Sequence, residues 1–160
     1  VAKDAQPKPT AHFDRPERPS PDSTKNTVYS FDQTLPAASR PRFTGKTVML
    51  IDEHAVSQSE HTAMMFKTLG GTVFVGSPTV GANGDITVNV LPGGLRYWMT
   101  GQSVQWADRR PLQGVGVQPD IPVRPTQRGL AAGIDEVLTA AYRHLGGTGD
   151  IMFSEDASLE

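Results

Sequence analysis

The stretch Lys46–Gly76 constrains the fold of this chain more than any other. Lys46–Asp52 (KTVMLID) is a short apolar run, partly β-branched, which reads as a buried strand. Ser57–Leu69 (SQSEHTAMMFKTL) places Ala63, Met65, Phe66 and Leu69 at helical spacing and closes at Gly70-Gly71, a C-cap. Thr72–Gly76 (TVFVG) reads as a second buried strand. Two strands joined by a helix within roughly 30 residues predict a parallel, right-handed crossover. The chain is therefore expected to be α/β.

Three shorter strands are expected next, at Ile86–Leu91, Leu95–Thr100 and Ser103–Trp106. Pro92-Gly93-Gly94 and Gly101 punctuate them, so they read as a meander that makes the sheet mixed. Pro111–Pro125 is rich in Gly and Pro and reads as irregular, with a small strand at Ile121–Val123. Ile134–Leu145 is the second main helix, with Ile134, Val137, Leu138, Ala141, Tyr142 and Leu145 on one apolar stripe. Residues 1–44 carry seven of the 13 prolines and no sustained apolar period. Proline fixes φ and removes a donor, so they are expected to form an irregular arm or linker. If the arm wraps the body, Phe13, Tyr29 and Phe43 are its expected buried contacts. The organisation expected is thus an arm at 1–44, a folded body at 45–146 and a polar tail at 147–160.

Several classes of function are excluded by composition. The absence of cysteine removes disulfide scaffolds, thiolate metal sites and cysteine nucleophiles, and fits an extracytoplasmic setting, periplasmic or secreted. With 15 basic against 17 acidic residues, no strong pull toward nucleic acid is expected. The apolar runs are too short to span a bilayer. The chain opens Val-Ala-Lys-Asp, with neither Met nor a signal-peptide core, and is expected to be a piece of a longer one.

Ser57 carries the most chemistry. It follows a strand and the loop Glu53-His54-Ala55-Val56 and opens a helix, so its hydroxyl lies where free helix amides and the positive helix end stabilise an oxyanion. The same spacing, Ser57-Gln58-Ser59-Glu60, is a capping box, a purely structural use of that serine. His61 lies one turn beyond Ser57 on the same face, placed to orient or deprotonate it. Glu53-His54 and Glu60-His61 pair acid with imidazole but lack a metal-ligand spacing, so no metal and no cofactor is expected. His12 and His144 have no neighbours in sequence that suggest chemistry.

The order GKTVMLIDE, SQSEHTAMMFKTLGG, FVGSPTVGANGDIT, LPGG and GVGVQPDIPVRPT resembles the C-terminal half of a serine peptidase family, the tail-specific or C-terminal-processing peptidases and their tricorn-type relatives. The resemblance runs from about Phe43 to Leu145 and implies part of a crotonase-like core of ββα units. It implies that Ser57, three residues before the glutamate of an S-x-S-E motif, is the nucleophile, and that Gln58 supplies an oxyanion-hole amide. It further implies a peptide or unfolded-protein substrate and catalytic groups from an N-terminal part of the same protein. Two departures stand out. Ala82 follows Gly81 where the tail-specific branch has a lysine base. Gln113, ahead of Gly116-Val117-Gln118-Pro119-Asp120, holds the approximate place of a glutamate of the tricorn-like branch. A nucleophile without its base is a weak alcohol, and a non-catalytic module that keeps the fold to bind peptides or apolar ligands is the alternative.

Overall fold

The computed structural model describes residues 7–18, 22, 27–37 and 43–153. The predicted parallel strand–helix–strand arrangement is present. Strand β3 (Thr47–Ile51), helix α1 (Gln58–Leu69) and strand β4 (Thr72–Gly76) form one unit, with β3 parallel to β4 and Thr47 opposite Thr72. A short strand β8 (Ile121–Pro122) adds to the other edge of β4, also parallel. Of β3 only Ile51 is buried, because β3 is an edge strand; β4 lies between two neighbours and buries Phe74, Val75 and Gly76. Helix α1 lays Ala63 and Met64 against this sheet, and Met64, Phe74, Leu112 and Val117 are fully buried in one core cluster. Burying a side chain such as Met64 contributes about 1.5–3 kcal/mol.

The described part of the arm departs from expectation. Strands β1 (Lys8–Arg18) and β2 (Thr27–Leu35) form a long antiparallel pair in place of irregular chain. Prolines mislead here because of where they fall. Pro9 and Pro16 sit at the two register shifts of the pair, outside the segment Ala11–Asp14 that is bonded on both sides. Bulges and strand ends are the places where a sheet tolerates proline. The second partner of Ala11–Asp14 is β7 (Ser103–Trp106), so β1 is the middle strand of its sheet. Ala11, Phe13 and Val104 point into the core, and Phe13 stacks on Phe31 at 4.6 Å between centroids. Of the three anchors expected in the arm, Phe13 is buried, whereas Tyr29 and Phe43 are 55% and 77% exposed.

The opposite face of that sheet is polar. His12 is buried between two carboxylates, Nδ1 lying 2.8 Å from Asp32 and Nε2 2.9 Å from Asp14, and the Ser30 hydroxyl donates to Asp14 at 2.5 Å. The Ser30 bond, with His12 beside it, holds the Asp14 carboxyl below the usual carboxylate range against the opposing effect of burial. His12 thus has the polar company that its sequence neighbours did not suggest. Cross-strand register supplies it, since His12 faces Asp32 and Asp14 faces Ser30.

The meander is also corrected. Among the described residues strands β5 (Ile86–Val90) and β6 (Arg96–Thr100) pair only with each other, and β7 leaves them for β1 because Val104 and Trp106 pack with the arm's apolar face. Among the described residues three small sheets therefore replace the single mixed sheet expected. The β5–β6 ribbon stands out from the body, with Ile86, Leu95 and Trp98 each more than 60% exposed. Helix α3 (Glu136–His144) is shorter than the predicted Ile134–Leu145 because Asp135 caps it, accepting from Leu138 N–H at 2.8 Å. A one-turn helix α2 (Gln127–Ala131) was not expected from the sequence; it is too short for an apolar period and is held by the Thr126 cap on Gly129 N–H. The first residues of the tail fold back, Asp135 N–H donating to Ile151 and Phe153 N–H to Gly133. Residues 154–160 lie outside the described part.

Candidate active site

Strands β3 and β4 run parallel, so their carboxyl ends open at one edge, where ligands of such sheets bind. Ser57 stands at this edge as the N-cap of α1, exposed, with φ 57° and ψ −114°. That backbone conformation disfavours any side chain, and holding a serine there costs on the order of 1–3 kcal/mol. Its carbonyl accepts the first intrahelical bond, from His61 N–H at 3.0 Å. Gln58, the next residue, begins the helix, so its N–H is one of the leading amides without an intrahelical acceptor.

The strain at Ser57 is held by Glu60. This carboxylate is fully buried and receives four donors, namely Thr79 Oγ1 and Gly81 N–H at 2.6 Å each, Ala82 N–H at 2.9 Å and Ser57 N–H at 3.2 Å. The capping-box spacing foretold the last of these; the other three arise because the loop after β4 folds over the helix start. Val80 N–H to Ala55 O at 3.1 Å adds a further tie between the two loops. A buried charge is tolerated only when paired or fully hydrogen-bonded, and Glu60 meets that condition with donors alone.

The segment Gly116-Val117-Gln118-Pro119-Asp120 (GVxPD) is tied to the loop after β4. Thr79 and Val117 exchange bonds, Thr79 N–H to Val117 O at 3.2 Å and Val117 N–H to Thr79 Oγ1 at 2.8 Å. Gly116, at φ +70°, permits this approach, for a Cβ there would lie 2.3 Å from the Thr79 carbonyl oxygen. Asp120 accepts from Phe74 N–H at 2.8 Å and from Lys67 at 2.5 Å, tying the motif to β4 and α1. Its carboxyl lies below the usual range; burial pushes it up, and the bonds from Lys67 and Phe74 outweigh that.

A cleft of about 380 Å³ opens between the strand ends and the start of α3, lined by Leu50–Ala55, Gly76, Ser77, Val123 and Pro125 among others. Ser57 lies two residues past this lining. On its wall the buried Ser77 hydroxyl donates to Glu53, and Arg124 lies 3.7 Å from the same carboxylate. The Ser77 bond, assisted by Arg124, keeps Glu53 below the ordinary carboxylate range.

The other residues singled out in the sequence have separate fates. His61 is half-buried and turns to the arm, with Phe13 at 5.8 Å between ring centroids and Asn83 Nδ2 at 3.5 Å from Nδ1; burial lowers its pKa. Among the described residues no hydrogen bond joins the His61 and Ser57 side chains. Gln113 is built into the frame, Nε2 donating to Asn83 O at 2.5 Å and Gln102 O at 3.2 Å while Oε1 accepts from Val104 N–H at 3.1 Å. Ala82 presents its N–H to Glu60. The two acid–His pairs diverge, and among the described residues no group of three or more His, Asp or Glu could hold a metal ion. Sequence reading gives Thr79 no role of its own and takes Asn83 only as part of the glycine-rich loop Gly81–Asp85. No helix among the described residues is long and apolar enough to cross a membrane.

Comparison with solved structures finds the same fold in several proteins. A candidate peptidase from Parabacteroides merdae aligns with a TM-score of 0.76 at 19% identity, over 90% of this chain and 44% of that one. A lipoprotein from Streptococcus agalactiae gives 0.52 at 15% identity, over 86% of this chain and 44% of that one. The photosystem II D1 C-terminal processing protease gives 0.50 at 21%, over 89% of this chain and 32% of that one. The chain therefore spans less than half the length of each. A comparison with curated proteins finds no match. The sequence pattern of Peptidase family S41 matches residues 5–123, a span that takes in the paired arm, the strained serine, the loops bonded to Glu60 and the GVxPD segment; the chain belongs to that peptidase family.

Proposed function

We propose that Ser57 is the nucleophile of a serine endopeptidase. The observation that carries this reading is the serine's strained backbone, at φ 57°, held at the opening of α1 beside the carboxyl ends of parallel strands. Strain of that kind persists where the surroundings over-determine it, and it concentrates at reactive sites. Ser57 Oγ attacks the peptide carbonyl carbon, and the Gln58 N–H donates to the oxyanion that forms. The amine leaves with a proton, and water then releases the acyl group from Ser57. The proton acceptor belongs to residues beyond this chain, which also complete a crotonase-like core and the oxyanion hole. His61, held by Asn83 and Phe13, is at most an orienting neighbour. The substrate is a peptide or an unfolded protein, met in an extracytoplasmic setting.

The test is labelling of the full-length protein with a fluorophosphonate probe. The wild type is expected to label at Ser57 and Ser57→Ala to lose both the label and peptide hydrolysis, while the 160-residue chain alone hydrolyses little. Equal labelling of wild type and Ser57→Ala would overturn the assignment. A second reading is a non-catalytic peptide-binding module. It is favoured by Ala82 and Gln113, which place no ionisable group where the two branches of the family carry one. That reading predicts peptide binding by the full-length protein without turnover.

A further inference from the structure

We infer that Thr79 is a positioning residue for Ser57, acting through the Glu60 carboxylate; the inference rests on Ser57 being the nucleophile. Ser57 keeps its strained backbone only while its N–H is held, and the acceptor is Glu60 Oε2 at 3.2 Å, the longest of the four bonds to that carboxylate. Whatever fixes the carboxylate therefore fixes the serine. Gly81 and Ala82 hold it through backbone amides that no substitution short of proline removes, whereas Thr79 holds it through a side chain, at 2.6 Å.

The Thr79 hydroxyl has one way to point. Its oxygen already accepts from Val117 N–H at 2.8 Å, so its proton goes to Glu60 Oε1. Thr79 is buried, and its own N–H is pinned to Val117 O at 3.2 Å. One hydroxyl thus joins the start of α1, the loop after β4 and the GVxPD segment. Without it, Val117 N–H loses its acceptor and Glu60 loses a donor. The carboxylate then turns toward its remaining short bonds, the long bond to Ser57 yields first, and the serine relaxes toward an ordinary backbone region with its hydroxyl displaced. Displacements of about 1 Å at a reacting group cost on the order of 10²-fold in rate.

The experiment uses the full-length protein with Thr79→Val, Thr79→Cys and Thr79→Ser, each compared with wild type for fluorophosphonate labelling rate at Ser57, for kcat and KM on a peptide, and for Tm. Thr79→Val is expected to label about 10- to 100-fold more slowly and to lose kcat with KM nearly unchanged. Thr79→Ser, which keeps the donor, is expected to restore both to near wild type, and Thr79→Cys, a weaker donor, to fall between. Labelling of Thr79→Val at the wild-type rate would overturn the inference, as would a Thr79→Ser variant no better than Thr79→Val. Should Thr79→Val fail to fold, the order of wild type, Ser and Cys decides, and equal rates for the three overturn it. Absence of label on wild-type Ser57 would remove the nucleophile itself and the inference with it, a result distinct from a labelled wild type indifferent to Thr79.

Discussion

Replacing Gln113 by glutamate tests whether that side chain is a piece of framework or the remnant of a catalytic acid. The change is nearly isosteric and exchanges an NH2 for an oxygen. In the native structure that NH2 donates to Asn83 O at 2.5 Å and Gln102 O at 3.2 Å, and the amide oxygen accepts from Val104 N–H. Gln113→Glu leaves two carbonyl oxygens facing a carboxylate, with each lost partner costing about 1–3 kcal/mol. Protonating the new carboxyl restores one donor of the two. The expected loss is therefore about 2–4 kcal/mol near neutral pH, a large share of the roughly 5–15 kcal/mol that keeps a domain folded. In a chain of this size it lowers Tm by about 5–15 °C. The sign of the pH dependence follows. The folded state raises the pKa of the new carboxyl, so the deficit opens as pH rises through the unfolded value near about 4.3 and is smaller at about pH 5 than at about pH 7.5. Urea and thermal denaturation at both pH values read this directly. A variant within about 0.5 kcal/mol of wild type at both would refute the reasoning, and so would a gain in peptide hydrolysis without loss of stability.

Two further outcomes are expected. Gly76→Ala puts a Cβ 1.9 Å from the Ile51 carbonyl oxygen at a residue with φ +132°, so it should cost more than about 3 kcal/mol or prevent folding, and a Tm near wild type would contradict the close approach of β3 and β4. Asp120→Asn removes a carboxylate whose pKa is depressed in the folded state; its contribution is present above the unfolded value near about 3.9 and is lost as pH falls through the folded one, and with the side chain 45% exposed it amounts to about 0.5–1 kcal/mol. Urea titrations should therefore separate the two proteins near neutral pH and bring them together in acid, and a gap that persists there would refute the assignment.

The parts legible in the sequence were those decided by local pattern. Thr72–Gly76 is a strand over the residues expected, and α1 opens after Ser57 as the capping-box spacing and closing glycines require, although it buries Ala63 and Met64 and leaves Phe66 and Leu69 of the expected stripe exposed. What escaped was decided by partners distant in sequence. Pro9 and Pro16 argue against a strand until the register shows them at bulges. Glu60 announced itself as a capping residue, yet three of its four donors come from Thr79, Gly81 and Ala82 on another loop. Gln113 looked like a substituted glutamate, whereas its amide satisfies three backbone groups no single-sequence reading could bring together. Strands β5 and β6 are legible as a pair, but β7 reads as their neighbour because nothing local says that Val104 belongs opposite Phe13.

The place of β1 between β2 and β7 sets a timetable for synthesis. The β1–β2 hairpin leaves the ribosome well before β7 and can pair at once, since its register is local. The second edge of β1, at Ala11–Asp14, then waits unpaired until β7 has been made, because Ala11 closes opposite Trp106. Contacts so far apart in sequence form slowly, and a strand edge left open in the interval invites pairing with other chains. The alternation of His12, Asp14, Ser30 and Asp32 on the outer face keeps one side of the waiting hairpin water-compatible. A nascent chain halted before Val104 is accordingly the form of this protein most in need of a chaperone.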